Sequence, residues 1–185
     1  MATPAVLKKV AQSYGRQHKD LAVLLSGIPG KAMHYKPAPD KWSIHEVVWH
    51  LVDSEANLFV RFRAAVAEPG KLIMAFEQDD WNNAFHYEKS DLDMALKTLK
   101  WLRRASADLL TRIPNEAWKH TIKHPERGVL TLEKLLVSYH EHIPVHLKQI
   151  ERTFEAWKQS KHPPKPKQEE KRKAGKADKK AKAKK

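Results

Sequence analysis

The sequence predicts an all-α protein: a four-helix bundle with one long crossover connection, followed by a disordered basic C-terminal tail. Apolar residues recur at helical spacing in four stretches of about 23 residues each, as the helices of such a bundle require. A connector of about twenty residues between the second and third stretches is longer than bundle loops usually are. The tail, residues 161–185, has no aromatic and no large aliphatic side chain, so it cannot form a core.

The first helix is predicted over residues 4–26, where apolar side chains fall on one face. The stretch that follows, GIPGKAMHYKPAPDK, contains the glycines and prolines that end a helix. The apolar face consists of Val6, Val10, Tyr14, Leu21 and Leu25.

The second helix is predicted to start within KWSIHEVV. Ser43 is followed three residues later by Glu46, which is the spacing of a capping box, in which each side chain satisfies a backbone N–H at the helix start. The helix is expected to end near Glu68, before Pro69 and Gly70. Its apolar stripe contains Ile44, Val47, Val48, Leu51, Leu58, Phe62 and Ala65.

The connector KLIMAFEQDDWNNAFHYEK precedes the third helix, and connectors of this length are usually functional or mobile. The third helix is predicted to open at Ser90, with Asp91 and Asp93 near the positive end of its dipole. Its apolar face consists of Leu92, Ala95, Leu96, Leu99, Leu102, Leu110 and Ile113.

The fourth helix is predicted to begin after Thr131, which is a suitable cap, and to run to about Trp157. Pro144 lies inside it, removes one backbone donor and pushes against the carbonyl of His140, so a kink is expected there. Periodicity favours a strand nowhere over a long window, and residues 121–123 form the one short extended piece that we predict.

The composition limits the kinds of site the protein can contain. The chain has no cysteine, which excludes disulfides and thiolate metal ligands and leaves histidine and carboxylates. The formal net charge of +13 is unevenly spread, because 12 basic and 3 acidic residues lie in the tail. Residues 1–160 carry 23 basic and 19 acidic side chains and are only mildly basic.

We therefore divide the chain into a bundle domain, residues 1–160, and a Lys-rich tail, residues 161–185. The tail is interpreted as a solubilising extension, with weak, salt-dependent attraction to nucleic acid or anionic lipid as the alternative. No apolar run reaches the roughly 18 residues of a transmembrane helix, and the N-terminal stretch lacks the apolar region of a signal peptide. A cytoplasmic location is expected.

Three histidines form a candidate metal site. His142 and His146 are four residues apart and share one face of the fourth helix, whereas His140 points toward the other edge. An i, i+4 pair can present two imidazole nitrogens to one ion, although such a pair can also form a half-buried polar edge. His50 lies at the border of the apolar stripe of the second helix, near Ser54. Three imidazoles would leave a coordination position open, as in catalytic sites.

The sequence resembles the DinB superfamily, in particular its YfiT-like branch, over about residues 4–158. The resemblance rests on KWSIHEVVWHLVDSE and YHEHIPVHLKQIER, which are similar to the capped second helix of the family and to its H-x-x-x-H pair. It implies a four-helix bundle that holds a divalent ion with His50, His142 and His146. It also implies a metal-dependent hydrolase, since the branch is described in that way, or a thiol transferase as in some relatives, and a homodimer.

Zinc or nickel is the expected ion, and iron and manganese stay open. A metal-bound water with a pKa lowered toward about 7, or an activated low-molecular-weight thiol, would attack a small electrophilic substrate. A non-catalytic metal-binding or ligand-binding bundle is the alternative.

No catalytic residue is assigned from the sequence. Asp53 and Glu141, which are close to the histidines along the chain, are predicted on solvated edges. The connector residues Asp79, Asp80 and His86 could lie over the site. Trp81 and Phe85 could line a pocket or pack the connector against the bundle.

Overall fold

The computed structural model describes residues 2–161, so that the predicted tail lies outside the described residues except for Lys161. No helix in the described part is long and apolar enough to cross a bilayer. The helices are α1 (Pro4–Tyr14), α2 (His18–Ser26), α3 (Gly30–Met33), α4 (Ile44–Ala67), α5 (Gln78–Phe85), α6 (Leu92–Arg112), α7 (Leu132–His140) and α8 (His142–Lys161). The strands β1 (Thr121–His124) and β2 (Gly128–Thr131) form an antiparallel hairpin in which Ile122 is opposite Leu130.

The four long helical units form a bundle, as predicted. The units are α1 with α2, α4, α6, and α7 with α8. α6 packs against α4 and against α1 and α2, while α7 and α8 pack against those same two units from the other side. The first unit, α1 with α2, therefore lies diagonally across the bundle from α4, and α6 lies diagonally across from α7 with α8. The connection through α3 and the connection through the hairpin each cross one end of the bundle.

The predicted continuous helix over residues 4–26 is wrong, because α1 ends at Tyr14 and α2 starts at His18. At the turn, Gln17 is buried, and its side chain forms hydrogen bonds with α6 and α7. Apolar periodicity continues on both sides of the turn, so it could not reveal the interruption.

The predicted fourth helix is also interrupted, at Glu141. Pro144 lies in the first turn of α8, where a missing backbone N–H costs little. The break therefore falls before His142 rather than at Pro144, between His142 and His146.

Local capping signals are largely confirmed. Ser43 and Glu46 form the capping box of α4, and Thr131 accepts a hydrogen bond from the Lys134 backbone N–H at the start of α7. The third helix begins at Leu92 with Asp91 as its cap, slightly later than predicted. The extended piece near residues 121–123 is β1, whereas its four-residue partner β2 was too short to show a pattern.

The core consists of two apolar clusters separated by a polar layer. The layer crosses all four units at one level and contains Gln17, Ser54, Glu55, Arg103 and His142. One cluster lies toward the hairpin and includes Leu7, Tyr14, Phe62, Leu110 and Leu132. The other includes Leu21, Val48, Leu51, Leu99 and Ile150.

Arg103 is the centre of this layer and is fully buried. Its guanidinium donates to the Tyr14 carbonyl at 3.0 Å, to Glu55 Oε2 at 2.9 Å and to Gln17 Oε1 at 2.6 Å. The Arg103 Cζ lies 3.9 Å from the centre of the Tyr14 ring, a cation–π distance. Gln17 in turn donates to the His140 carbonyl at 2.9 Å, so Arg103 and Gln17 together connect all four units.

Gly15 is required by the close approach of α1 to α6, because a Cβ there would lie 2.6 Å from Ala107 Cβ. We predict that Gly15→Ala lowers the free energy of unfolding by about 1–3 kcal/mol, the usual cost of overpacking. Urea denaturation measures it. In the Ala107→Gly background the same substitution should cost little, and Gly30→Ala is the control, since its added Cβ meets nothing within 4 Å. Equal effects of Gly15→Ala in both backgrounds would contradict the steric explanation.

Candidate metal centre

His50, His142 and His146 converge at one point between α4 and α8. One nitrogen of each ring lies within 4.8 Å of a nitrogen of each of the others. The centre of the His50 ring is 5.4 Å from that of His142 and 4.9 Å from that of His146. The convergence predicted from the sequence is therefore observed, and it follows from the packing of α4 against α8.

The pair on α8 has the geometry expected of two side chains one turn apart. His142 Nε2 and His146 Nε2 are 3.0 Å apart, with the two rings nearly perpendicular. His140 does not take part, because its Nε2 lies 3.1 Å from Ser13 Oγ on α1. The break before α8 thus separates His140 from the pair.

Neighbouring side chains orient the histidine rings. His146 Nδ1 lies 2.7 Å from Gln149 Oε1, which accepts a hydrogen bond, so Nδ1 carries the proton and the lone pair of Nε2 faces His142 Nε2. Ser54 Oγ lies 3.4 Å from His50 Nε2, and His50 Nδ1 is buried with no hydrogen-bond partner among the described residues. A bound ion is one of the recognised explanations of an unpaired buried nitrogen atom.

Burial keeps the three rings neutral. It lowers the pKa of His50 to about 3, with His146 contributing, and the pKa of His142 to about 2, with His146, His50 and Arg103 contributing. Burial also lowers the pKa of His146, although the hydrogen bond to Gln149 opposes this change. Neutral imidazole is the form that binds a metal ion, so no proton has to be displaced near pH 7.

The donor set fits a divalent transition metal. Bonds of about 2.0–2.1 Å place two nitrogens on the same ion at most about 4.2 Å apart. The separation of 3.0 Å within the α8 pair is inside this limit, and the upper bound of 4.8 Å for the whole set is slightly above it. The orphaned His50 Nδ1 supports the same conclusion.

A pocket of about 520 Å³ opens onto the three rings. Trp42 packs on His50 with ring centres 4.9 Å apart and forms one wall. The connector contributes Phe76, Gln78 and Asp79 to the lining. Most of the exposed lining is polar, and Asp40 is paired with Lys41 at 2.6 Å on the rim.

Three acidic candidates, Asp79, Glu141 and Asp53, differ in their position relative to the pocket. Asp79 lines the pocket, whereas Glu141 is exposed and lies beside His140. Asp53 is half-buried rather than on a solvated edge, and its carboxylate accepts a hydrogen bond from the Tyr87 hydroxyl at 2.5 Å. Burial raises the pKa of Asp53, and the bond from Tyr87 opposes the change.

The other connector candidates do not border the pocket. Asp80 and His86 are absent from its lining, and His86 ends α5 in a left-handed conformation with φ 52°. Trp81 packs against Phe76 and Phe85, at 4.8 Å and 5.9 Å between ring centres, so it holds the connector together rather than facing the histidines.

Sequence reasoning missed the side chains that surround the histidines. Gln149 could have been found, because it lies three residues after His146 and so on the same helix face. Trp42 precedes the helix cap and Phe76 belongs to the connector, and no periodic pattern connects either residue with the site.

The chain is similar to proteins whose names refer to a metal. The family profile described as the DinB superfamily matches residues 13–150. A relative from Oceanobacillus iheyensis named "Putative metal-dependent hydrolase" is 27% identical over 109 residues, which is 59% of this chain and 63% of the relative. "Putative metal-dependent hydrolase YfiT" from Bacillus subtilis is 28% identical over 116 residues, with 60% and 65% covered. The chain thus spans less than two thirds of the length of these relatives.

The fold is also found in a solved structure. YfiT from Bacillus subtilis, described as "a probable metal-dependent hydrolase with an unusual four-helix bundle topology", matches with a TM-score of 0.77 and 21% sequence identity. The match covers 83% of this chain and 88% of YfiT, so the two proteins share the fold over nearly the whole bundle.

We predict that the metal-free protein loses stability as the pH falls below about 6.5. His50 is protonated in the unfolded chain at that pH, but in the folded protein only near its pKa of about 3. Below pH 6.5 the unfolded state therefore binds more protons than the folded state. For this histidine, the free energy of unfolding falls by about 2 kcal/mol between pH 7.5 and pH 5. Burial raises the pKa of Glu55, although Arg103 counteracts this, and the raised pKa opposes the trend. The measurement is therefore the difference between wild type and His50→Gln in urea unfolding with a chelator, and equal pH dependences would contradict the prediction.

We predict that Gln149→Leu weakens binding of a divalent metal by about 10–100-fold, the usual effect of removing a group that orients a metal-binding histidine. Competition with a chromophoric chelator measures the affinity. Gln149→Glu should retain binding, because a carboxylate accepts the same hydrogen bond from Nδ1. Gln159→Leu is the matched control, as Gln159 is an exposed glutamine further along α8. An affinity loss common to both leucine variants would argue against the orienting role.

Proposed function

The chain belongs to the DinB superfamily, and we propose that it is a metal-dependent hydrolase acting on a small electrophilic substrate. The proposed ligands of the ion are His50, His142 and His146, with zinc or nickel as the ion. The observation that supports this most directly is the meeting of three neutral imidazoles from two helices at the floor of an open pocket. Three nitrogen ligands leave a coordination position for water or substrate, in contrast to a closed structural site.

A divalent ion in this position would supply a water of lowered pKa and would polarise the bond that is attacked. The protein contributes orientation. Gln149 fixes the proton of His146 on Nδ1, and Ser54 lies within reach of His50 Nε2. Trp42 and Phe76 would limit access of bulk water to the bound substrate, since both line the pocket.

Asp79 is the proposed proton acceptor. It lines the pocket, and no described residue pairs with its carboxylate. Asp40 also lines the pocket, but it is already bonded to Lys41. A carboxylate at the mouth can receive the proton released from the attacking water and pass it to solvent.

The experiment combines metal analysis with activity. We expect purified wild-type protein to hold about one divalent ion per chain. We expect His50→Ala and His146→Ala to lose that ion, together with hydrolysis of a panel of small esters and amides. Asp79→Asn should keep the ion and lose at least about tenfold in kcat, since a general base typically contributes that much or more.

His140→Ala is the matched control, because His140 belongs to the same stretch of sequence but faces Ser13. It should keep both the ion and the activity. Full metal content in His50→Ala and His146→Ala would refute the site. Turnover that requires an added low-molecular-weight thiol would identify an S-transferase instead, and a bound ion with no turnover in either panel would leave a metal-binding bundle. The homodimer, the cytoplasmic location and the attraction of the tail to nucleic acid stay predictions.

A further inference from the structure

A second and larger groove, of about 850 Å³, lies between α6 and the turn that joins α1 to α2. Its floor is formed by Gly15, Ala22 and Ala107, whose small side chains let the backbones approach. It shares no lining residue with the histidine pocket. The groove is on the face of the bundle formed by α6 with α1 and α2. The histidines are on the opposite face, which is formed by α4 and α8.

The walls of this groove are strongly basic. Arg16 and Lys19 line one wall, and Lys100 and Arg104 line the other, while His18 lies between them. None of the four cations forms an ion pair with a carboxylate in the described part of the chain. The one acidic lining residue, Asp108, is neutralised by Arg112 at 2.6 Å.

The folded domain carries a small excess of positive charge. Residues 1–160 have 23 basic and 19 acidic side chains, a net charge of +4. Four of these basic side chains line the groove, and the one carboxylate in its lining is paired with Arg112. A concave surface lined by several cations without carboxylate partners attracts polyanions at short range.

An exposed indole lies beside two of the wall cations on α6. Trp101 is 60% exposed, although a tryptophan normally buries most of its surface. It lies about 60° around α6 from Arg104, given about 100° per residue. Lys100 Nζ and Arg104 Cζ each lie over its ring, 5.2 Å from the ring centre, so two residues of the groove wall are also in contact with the indole.

We propose that this groove binds single-stranded nucleic acid, with the four cations on the phosphates and Trp101 stacking on a base. A basic channel next to an exposed aromatic ring is the arrangement by which proteins hold single strands without sequence preference. The Lys-rich tail of the chain itself is an unsuitable occupant, because it has the same sign of charge. The site is independent of the proposed hydrolase activity and of any metal.

The test uses the full chain and a fluorescent twenty-nucleotide oligo-dT, with binding followed by anisotropy over a range of salt concentrations. Lys100→Gln/Arg104→Gln should weaken binding at least about tenfold at low salt. The slope of log K against log salt should become shallower by about 0.7 for each phosphate that the variant no longer neutralises. Trp101→Ala should weaken binding at least about fivefold with the slope unchanged, because stacking releases no counterions.

Lys148→Gln/Arg152→Gln is the matched control. These residues form a Lys–Arg pair with the same i, i+4 spacing on α8, but Glu151 and Glu155 lie beside them. The change in net charge is identical and the tail is intact in both variants, so only the groove variant should lose affinity.

Three results would overturn the proposal. The first is an equal loss in the groove variant and the control, which would mean that binding follows net charge or the tail. The second is a Trp101→Ala variant that binds oligo-dT as tightly as wild type while the groove variant does not, since the groove would then hold any polyanion. The third is binding to phosphatidylserine vesicles without binding to oligo-dT.

Discussion

The fold depends on the compensation of one buried positive charge. Arg103 is inaccessible to solvent, and an uncompensated charge in that position would destabilise the protein by several kcal/mol. The structure surrounds the guanidinium with a carboxylate, an amide oxygen, a backbone carbonyl and the face of an aromatic ring. These partners come from α1, from the turn after it and from α4. The positions of those units relative to α6 are therefore fixed by hydrogen-bond geometry as well as by apolar packing.

The two helix breaks belong to the same network. Pro144 cannot donate to the carbonyl of His140, so this carbonyl needs another donor, and Gln17 Nε2 supplies it at 2.9 Å. Gln17 can reach inward because the chain turns between α1 and α2, and its other amide atom then accepts from Arg103. The turn in the first unit thus supplies the amide donor for the backbone carbonyl that the proline leaves without a partner in the fourth unit. The cluster of His50, His142 and His146 adjoins this layer, and Arg103 contributes to the low pKa of His142.

These features explain which parts of the structure could be predicted from the sequence. Spacing within a single helix is visible in a sequence, and it was enough to predict the helix positions and the Ser43 cap. The convergence of His50 with His142 and His146 was predicted from the side of the apolar stripe on which each histidine lies. The turn at Gln17 depends on partners 86 and 123 residues away, and no local pattern encodes them. The walls of the pocket depend on where the connector packs, which is equally non-local.

The connector itself folds against the bundle rather than covering the pocket as a free loop. Asn82 of α5 is buried and donates to Glu46 Oε1 at 2.9 Å, and Lys36 donates to the same carboxylate at 2.7 Å. Burial opposes ionisation of Glu46, but the hydrogen bonds from Lys36, Asn82 and Ser43 prevail and lower its pKa to about 2. One ionised carboxylate therefore caps the helix that carries His50 and also holds the segment that places Phe76 and Asp79 beside it. The pocket is consequently formed before any ligand arrives, which is the usual condition of small-molecule sites.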